Sequence, residues 1–214
     1  MNDPALARAA IVAAGVRLGS RGLIVASEGN LSIRLGTTVL ITPSGRRKDE
    51  LAPEDIVEVP LEASRGTPDG AHPAGLRPSS DIAIHRAIYA ARPDVAAVAH
   101  AHLAASLALT IVGQVPDPAD LPETALLLPR LPYVPFAAMG SATLAAGVTA
   151  ALTDRGPAGD APLAEAVLLE RHGAIAVGPD LVLAADRLEL VDLLCRVHRD
   201  VLLLRGALLG SPGS

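Results

Sequence analysis

The sequence predicts a layered α/β fold whose sheet is at least partly antiparallel. Strand-like apolar runs alternate with segments of helical apolar spacing along the whole chain, and two of those runs are joined by so short a connection that they pair as a hairpin. Half of the 214 residues are hydrophobic, enough for one large core, so residues 1–214 are expected to form a single domain.

Each element follows from local signals. Asp3-Pro4 is an N-cap followed by a proline at the first helical position, and Leu6, Ala9, Ala10, Ala13, Ala14, Val16 and Leu18 continue at helical spacing toward Gly22. Leu31-Ser32-Ile33-Arg34-Leu35 alternates apolar and polar, Gly36-Thr37 turns, and Val39-Leu40-Ile41 returns, with Thr42-Pro43-Ser44-Gly45 as the exit loop. Ile56 to Val59 reads as a third strand, and residues 60 to 79, dense in Gly and Pro, as an exposed excursion. Pro78-Ser79-Ser80 caps a helix through Ile82, Ile84, Ile88 and Tyr89, which Pro93 stops. Val95 to His102 is strand, Leu103 to Thr110 helix, Leu131 to Phe136 extended and Ser141 to Arg155 helix. Glu165 to Glu170 and Ala174 to Val177 are two buried strands around a turn at His172-Gly173, and Asp180 caps a final helix running to Leu208.

Composition excludes several function classes. Two Tyr, one Phe and no Trp leave nothing from which to build an aromatic platform for bases or sugars. The net charge is −5 and the most basic run is only Arg46-Arg47-Lys48, so counterion release is weak and no nucleic-acid partner is expected. Met1-Asn2-Asp3 opens without a basic region, and His100, His102 and Gln114 break the apolar stretch from Val95 to Val115; neither a signal peptide nor a membrane span is expected. The lone Cys195, in Leu193-Leu194-Cys195, reads as a core filler, and a cytoplasmic protein is expected.

The sharpest chemical feature is His100-Ala101-His102 at the end of an apolar run. Side chains two apart on a strand project to one face, so both imidazoles reach one metal ion. By itself the pair also fits two histidines hydrogen-bonded at a strand end, since an open metal site needs a third protein ligand. His172, where a buried strand meets Gly173, is the candidate, and three neutral imidazoles with one open position suit catalysis rather than structure. His72, in a Gly/Pro loop, and His198, among charged residues of the last helix, lack such a context. Ser79-Ser80-Asp81 at a helix start offers N–H groups, a positive dipole end and two hydroxyls to a phosphate or carboxylate, or is an ordinary N-cap. Gly29-Asn30 and Thr42-Pro43-Ser44-Gly45 flank the hairpin and bring an amide, hydroxyls and backbone N–H groups toward one anion, or are turn chemistry alone.

In order along the chain, Ser27-Glu28-Gly29-Asn30-Leu31-Ser32, Ile41-Thr42-Pro43-Ser44-Gly45, Pro78-Ser79-Ser80-Asp81 with His85, Arg92-Pro93-Asp94 leading to His100-Ala101-His102, and Arg171-His172-Gly173 resemble the signatures of the class II aldolase/adducin family. The resemblance covers about residues 5 to 205. It implies a three-layer α/β/α sandwich around a largely antiparallel central sheet, commonly assembled as a homotetramer with active sites at subunit boundaries. It further implies that His100, His102 and His172 bind Zn2+, or another divalent ion such as Mn2+ or Co2+. Asn30, Thr42, Ser44, Gly45, Ser79 and Ser80 would hold the phosphate of a small-molecule sugar phosphate, and Asp81 would be the catalytic acid/base. The implied reaction is cleavage of a ketose 1-phosphate, such as L-fuculose 1-phosphate, to dihydroxyacetone phosphate and an aldehyde through a metal-stabilised enediolate.

Two positions depart from that pattern. Asp81 stands where the aldolases carry glutamate, a side chain longer in reach by roughly 1.5 Å. Asp120-Leu121-Pro122-Glu123-Thr124-Ala125 occupies the stretch in which fuculose-type aldolases keep a tyrosine proton donor. Glu123 either replaces that acid or marks a related decarboxylase or epimerase of a sugar (acid) phosphate. Glu28 suits a phosphate dianion only if it points away. A non-catalytic adducin-like binding domain needs no metal, so retention of all three histidines speaks against that reading.

Overall fold

The structure, a computed structural model, describes residues 3–62 and 74–209. Asp3 accepts the Ala5 N–H at 2.8 Å and opens α1 (Pro4–Ser20). Its buried face is Ala7, Ile11, Ala14 and Leu18, so of the expected stripe only Ala14 and Leu18 are buried, and Leu6, Ala9, Ala13 and Val16 are exposed. The predicted hairpin forms as β1 (Asn30–Leu35) and β2 (Thr38–Ile41), followed by β3 (Val57–Pro60). Then come α2 (Ile82–Ala91), β4 (Ala97–Ala101), α3 (Ala104–Ile111), α4 (Pro122–Leu127), β5 (Tyr133–Val134), α5 (Ala142–Thr153), β6 (Ala166–Leu169), β7 (Gly173–Gly178) and α6 (Leu181–Leu209). All seven strands join one sheet in the order β3-β2-β1-β4-β7-β6-β5, antiparallel everywhere except between β5 and β6.

Two separate apolar clusters, one on each face, make this a three-layer α/β/α sandwich. In β4 and β7, strand alternation sorts residues by size as well as by face. Ala97, Ala99, Ala101, Ala166, Ala174 and Ala176 face α1, α3 and α6, whereas Val98, Val167, Leu169, Ile175 and Val177 face α2 and α5. Methyl groups let the long α6 lie close against the sheet; larger side chains fill the other face. Arg92 secures the second face: its side chain is 3% exposed, and it donates to the carbonyls of Leu152 and Ala164 and to the carboxylates of Asp94 and Glu165. The end of α2 is thereby tied to α5 and to the approach to β6.

Several expectations are corrected. α2 begins at Ile82 with Asp81 in the N-cap position and no side-chain cap bond, rather than behind a Pro78-Ser79-Ser80 cap. The Asp81 carboxylate is engaged by Asn30 instead, and the Ser79 hydroxyl accepts the Asp81 N–H at 3.3 Å. β4 ends at Ala101, so His102 lies one residue beyond the strand. α4 is unanticipated because six residues are too few to show a helical period. Of the excursion predicted over 60 to 79, residues 63–73, including His72, lie outside the described residues. Among the described residues, no helix is long and apolar enough to cross a membrane.

Candidate metal centre

The ends of three central strands meet around β4, with Asn30 of β1 opposite His100 on one side and Ala174 of β7 opposite Ala101 on the other. His100 shares the α2/α5 face with Val98, His102 follows the strand end, and His172 sits in the β6–β7 turn. Their rings form a near-equilateral triangle, with centroids 4.9, 4.8 and 4.9 Å apart. One nitrogen of each lies within 4.8 Å of the others. Tetrahedral zinc, with Zn–N of about 2.0–2.1 Å, needs nitrogens about 3.3 Å apart, and His100 Nε2 and His102 Nε2 are already 3.1 Å apart.

Outer contacts set the ring tautomers. His100 Nδ1–H donates to the Ala174 carbonyl at 2.9 Å, which leaves the Nε2 lone pair for the cluster. His102 Nδ1 lies 3.5 Å from the Glu28 carboxylate, which is placed to accept a hydrogen bond from Nδ1–H and so to leave Nε2 for a metal. Glu28 therefore reaches toward the cluster rather than away from it. Among the described residues neither buried nitrogen of His172 has a partner, a cost of about 1–3 kcal/mol that coordination through one of them relieves in part. Burial, with His172 and His102 as neighbours, pushes His100 down to about 3, and burial with His102 lowers His172. These rings are neutral at pH 7, the form that binds metal. The residues present fit a divalent ion.

Two glycines hold this geometry. Gly173, at φ +110, would put a Cβ 2.2 Å from the Ala101 carbonyl oxygen and 2.8 Å from His102 Cα. Gly29, at φ +67, would put one 2.5 Å from the His100 carbonyl oxygen. The β4 end is pressed from both sides by backbone that admits no side chain. Arg171, just before His172, takes φ +55, a conformation uncommon for a long side chain, and is held by its N–H to Thr110 Oγ1 at 3.1 Å and its guanidinium over the Phe136 ring. Gly173→Ala is expected to destabilise the protein by about 2–4 kcal/mol, because the clash is with backbone and β7 must move from β4. Urea denaturation with metal analysis checks this; an unshifted midpoint with full metal content would contradict it.

Asp81, 6% exposed, sits beside the triangle. Its Oδ2 is 4.0 Å from His100 Nε2 and accepts Asn30 Nδ2–H at 2.8 Å, while Oδ1 is buried with no partner among the described residues. Burial raises its carboxyl, but His100, the Asn30 amide, His85 and His172 outweigh that and hold it below the ordinary range. Behind Asn30 lies His85, fully buried, with Nε2 2.6 Å from Asn30 Oδ1 and Nδ1 2.6 Å from Ser32 Oγ. Tyr89 OH is 2.7 Å from the same Ser32 oxygen.

Burial pushes His85 down from 6.5 to about 4. Between those values the unfolded chain binds the proton and the folded chain does not, so stability falls as pH falls through this window and levels off below it. The loss is on the order of 3 kcal/mol. Urea midpoints of metal-free protein at about pH 7 and 4.5 are expected to differ more in the wild type than in His85→Gln; equal differences would contradict the assignment.

The predicted anion-binding residues gather at the same end of the sheet. Ser79 N–H donates to the Thr42 carbonyl at 3.1 Å, Ser44 N–H to the Arg77 carbonyl at 2.9 Å, and Pro43 bridges Pro78, so the two loops are stitched together. Those two N–H groups are thereby occupied. Ser44, Gly45 and Ser80 are exposed, and Thr42 Oγ1, buried, accepts Leu31 N–H at 3.1 Å. Both polar atoms of Asn30 are engaged by Asp81 and His85. In a run that reads only as too short to attract nucleic acid, Lys48 is not among the predicted site residues. It is 2% exposed, its ammonium donates to the carbonyls of Ser27 and Arg46, and burial lowers it to about 8. Glu123 is exposed in the first turn of α4.

Among known proteins, residues 9–199 match the family described as Class II Aldolase and Adducin N-terminal domain. A 5-methylthioribulose-1-phosphate/5-deoxyribulose-1-phosphate aldolase of Rhodospirillum rubrum is 34% identical over 81% of this chain and 72% of that protein. A methylthioribulose-1-phosphate dehydratase of Granulibacter bethesdensis is 32% identical over 92% of this chain and 93% of that protein. The crystal structure of L-fuculose-1-phosphate aldolase from Thermus thermophilus superposes with a TM-score of 0.76 at 29% identity, covering 96% of this chain and 97% of that one. Class II aldolases depend on a metal, and His100, His102 and His172 form a group able to hold one. By sequence and by fold, the chain belongs to the class II aldolase and adducin family.

Proposed function

We propose that the chain is a metal-dependent aldehyde-lyase acting on a ketose 1-phosphate. One observation carries the reading: three imidazoles close on one point, with both His172 nitrogens unpartnered, beside the buried Asp81 carboxylate. A divalent ion held by His100, His102 and His172, Zn2+ by the all-imidazole donor set, supplies Lewis-acid charge opposite the negative charge that develops on the ketose oxygens. Asp81 takes the substrate proton at Oδ1, the oxygen that Asn30 leaves free. Thr42, Ser44, Gly45, Ser79 and Ser80 present hydroxyl and backbone groups to the phosphate, with Asn30 and the Lys48 charge behind them, and so orient the substrate.

Glu123 is proposed as the second acid, delivered to a neighbouring subunit of a homotetramer. The exposed Leu126 and Leu127 of the same helix, with the exposed Ile111 and Val112 at the end of α3, support self-association. One sheet with a core on each face supports a single domain over residues 1–214. The single cysteine, its thiol pushed up to about 12 by burial, suits the cytoplasm.

A second reading, loss of water from a 5-substituted ribulose 1-phosphate, is favoured by one observation: a carboxylate, Glu123, stands where the fuculose-type pattern has tyrosine. It is also the named activity of the Granulibacter relative. Protein loaded with Zn2+, Mn2+ or Co2+ is incubated with L-fuculose 1-phosphate and with 5-methylthioribulose 1-phosphate. Release of dihydroxyacetone phosphate supports the aldolase; a diketone formed without triose phosphate supports the dehydratase. No product from either substrate with any of the metals overturns both readings.

A further inference from the structure

The hydrogen bonds behind Asp81 run in a single direction, and that direction is imposed from the site. An ionised carboxylate only accepts, so Asn30 must turn its Nδ2 to Asp81 Oδ2 (2.8 Å) and its Oδ1 to His85 Nε2 (2.6 Å). Asn30 Oδ1 also only accepts, so the His85 proton is on Nε2. Burial keeps the ring neutral, its titration lowered to about 4, so Nδ1 accepts the Ser32 hydroxyl proton at 2.6 Å. Ser32 Oγ then accepts from Tyr89 OH at 2.7 Å. Reversing any one bond sets two acceptors or two donors against each other inside a core where Ser32, His85 and Tyr89 are at most 1% exposed.

We propose that His85 is a positioning residue: its Nε2–H, its tautomer set by Ser32 and Tyr89, fixes the Asn30 carboxamide so that Asp81 is held toward the histidine triangle with Oδ1 left free. Asparagine passes no proton along this chain, so the role is orientation, not proton relay. An apolar residue at position 85 would let the Asn30 amide rotate and present its oxygen to the carboxylate, which repels it. The reading rests on the catalytic assignment of Asp81 made above.

The test compares His85→Leu, His85→Gln and Ser32→Ala with wild type in the zinc-loaded protein. Glutamine can place an amide N–H where Nε2–H stands. His85→Leu is expected to lower kcat about 10- to 100-fold while KM for the ketose phosphate and zinc affinity stay within about threefold. His85→Gln is expected to recover to within about fivefold of wild type, and Ser32→Ala to lose about three- to tenfold in kcat. Wild-type kcat in His85→Leu, equal impairment in Leu and Gln, or a loss carried by KM or zinc affinity overturns the proposal. Should His85→Leu fail to fold, unchanged kcat in Ser32→Ala overturns it. Should wild-type protein act on no sugar phosphate, the proposed function falls, and crystals of the metal-free proteins decide this inference separately. Asp81 Oδ2 is expected to stay near 4.0 Å from His100 Nε2 in His85→Gln and to leave that position in His85→Leu and Ser32→Ala; the same position in all three overturns it.

Discussion

Alanine in place of His100 or His102 is expected to strip the protein of bound divalent metal and, with it, of turnover. A zinc site worth an apparent ~10–16 kcal/mol shared among four ligands loses about 3 kcal/mol or more with each ligand, or about 10²–10³-fold in affinity. Under dialysis against a weak chelator, metal content is expected to fall from about one ion per chain to less than about 0.1. The fold should survive. His102 follows the end of β4 and is only partly buried, and removing its imidazole removes no hydrogen bond that holds the sheet. His100 is the more demanding case, since its Nδ1–H satisfies the Ala174 carbonyl at the β4–β7 junction. A small loss of stability in His100→Ala without one in His102→Ala is therefore expected, with equal loss of metal in both. Elemental analysis after dialysis, with urea midpoints measured alongside, separates ligand loss from unfolding. Full metal retention in both variants would remove the histidine triangle from the metal-binding role and with it the proposed lyase chemistry.

Most of the layered fold was legible because its elements carry local signals. The Gly36-Thr37 hairpin, the Ser141 cap that accepts Leu144 N–H at 3.1 Å and the Asp180 cap that accepts Leu183 N–H at 2.8 Å all follow from short patterns. The histidine triangle was legible in part. His100 and His102 stand out as a pair and His172 as the candidate third ligand, but only the resemblance assigns all three to one ion, because the β4–β7 pairing links residues more than seventy positions apart. What stayed hidden is the layer behind the site. Ser32, His85 and Tyr89 read as an ordinary strand and helix, and nothing in their spacing says that strand register puts Asn30 opposite His100 and all three polar groups in one buried file. Lys48 was hidden for a similar reason: a lysine between charged residues looks exposed until Gly15 admits the Lys48 carbonyl to within 2.2 Å of where a Cβ would stand. Glu28 looked like an obstacle to phosphate, and its contact is with His102.

Asp81→Asn is expected to lower kcat by about 10²–10⁴-fold while zinc content and KM for the ketose phosphate change little. The substitution keeps size and shape, and an asparagine oxygen in the Oδ2 position still accepts Asn30 Nδ2–H, so the network behind the site has no reason to rearrange. What changes is the other atom. Oδ1, buried and unpartnered in the wild type, becomes an amide nitrogen that donates and has no basic lone pair, and the proton-accepting group is gone. The three imidazoles are untouched, so the metal stays. The split between metal and turnover gives the experiment its force. If zinc is lost together with activity, Asp81 belongs to the coordination sphere and not to proton transfer. If turnover is unchanged, Asp81 drops out of the mechanism altogether, and Glu28, 3.5 Å from His102, becomes the next carboxylate to test. A loss confined to kcat leaves the proton with Asp81 and makes its short reach, relative to the glutamate of the related aldolases, a property of this site's geometry.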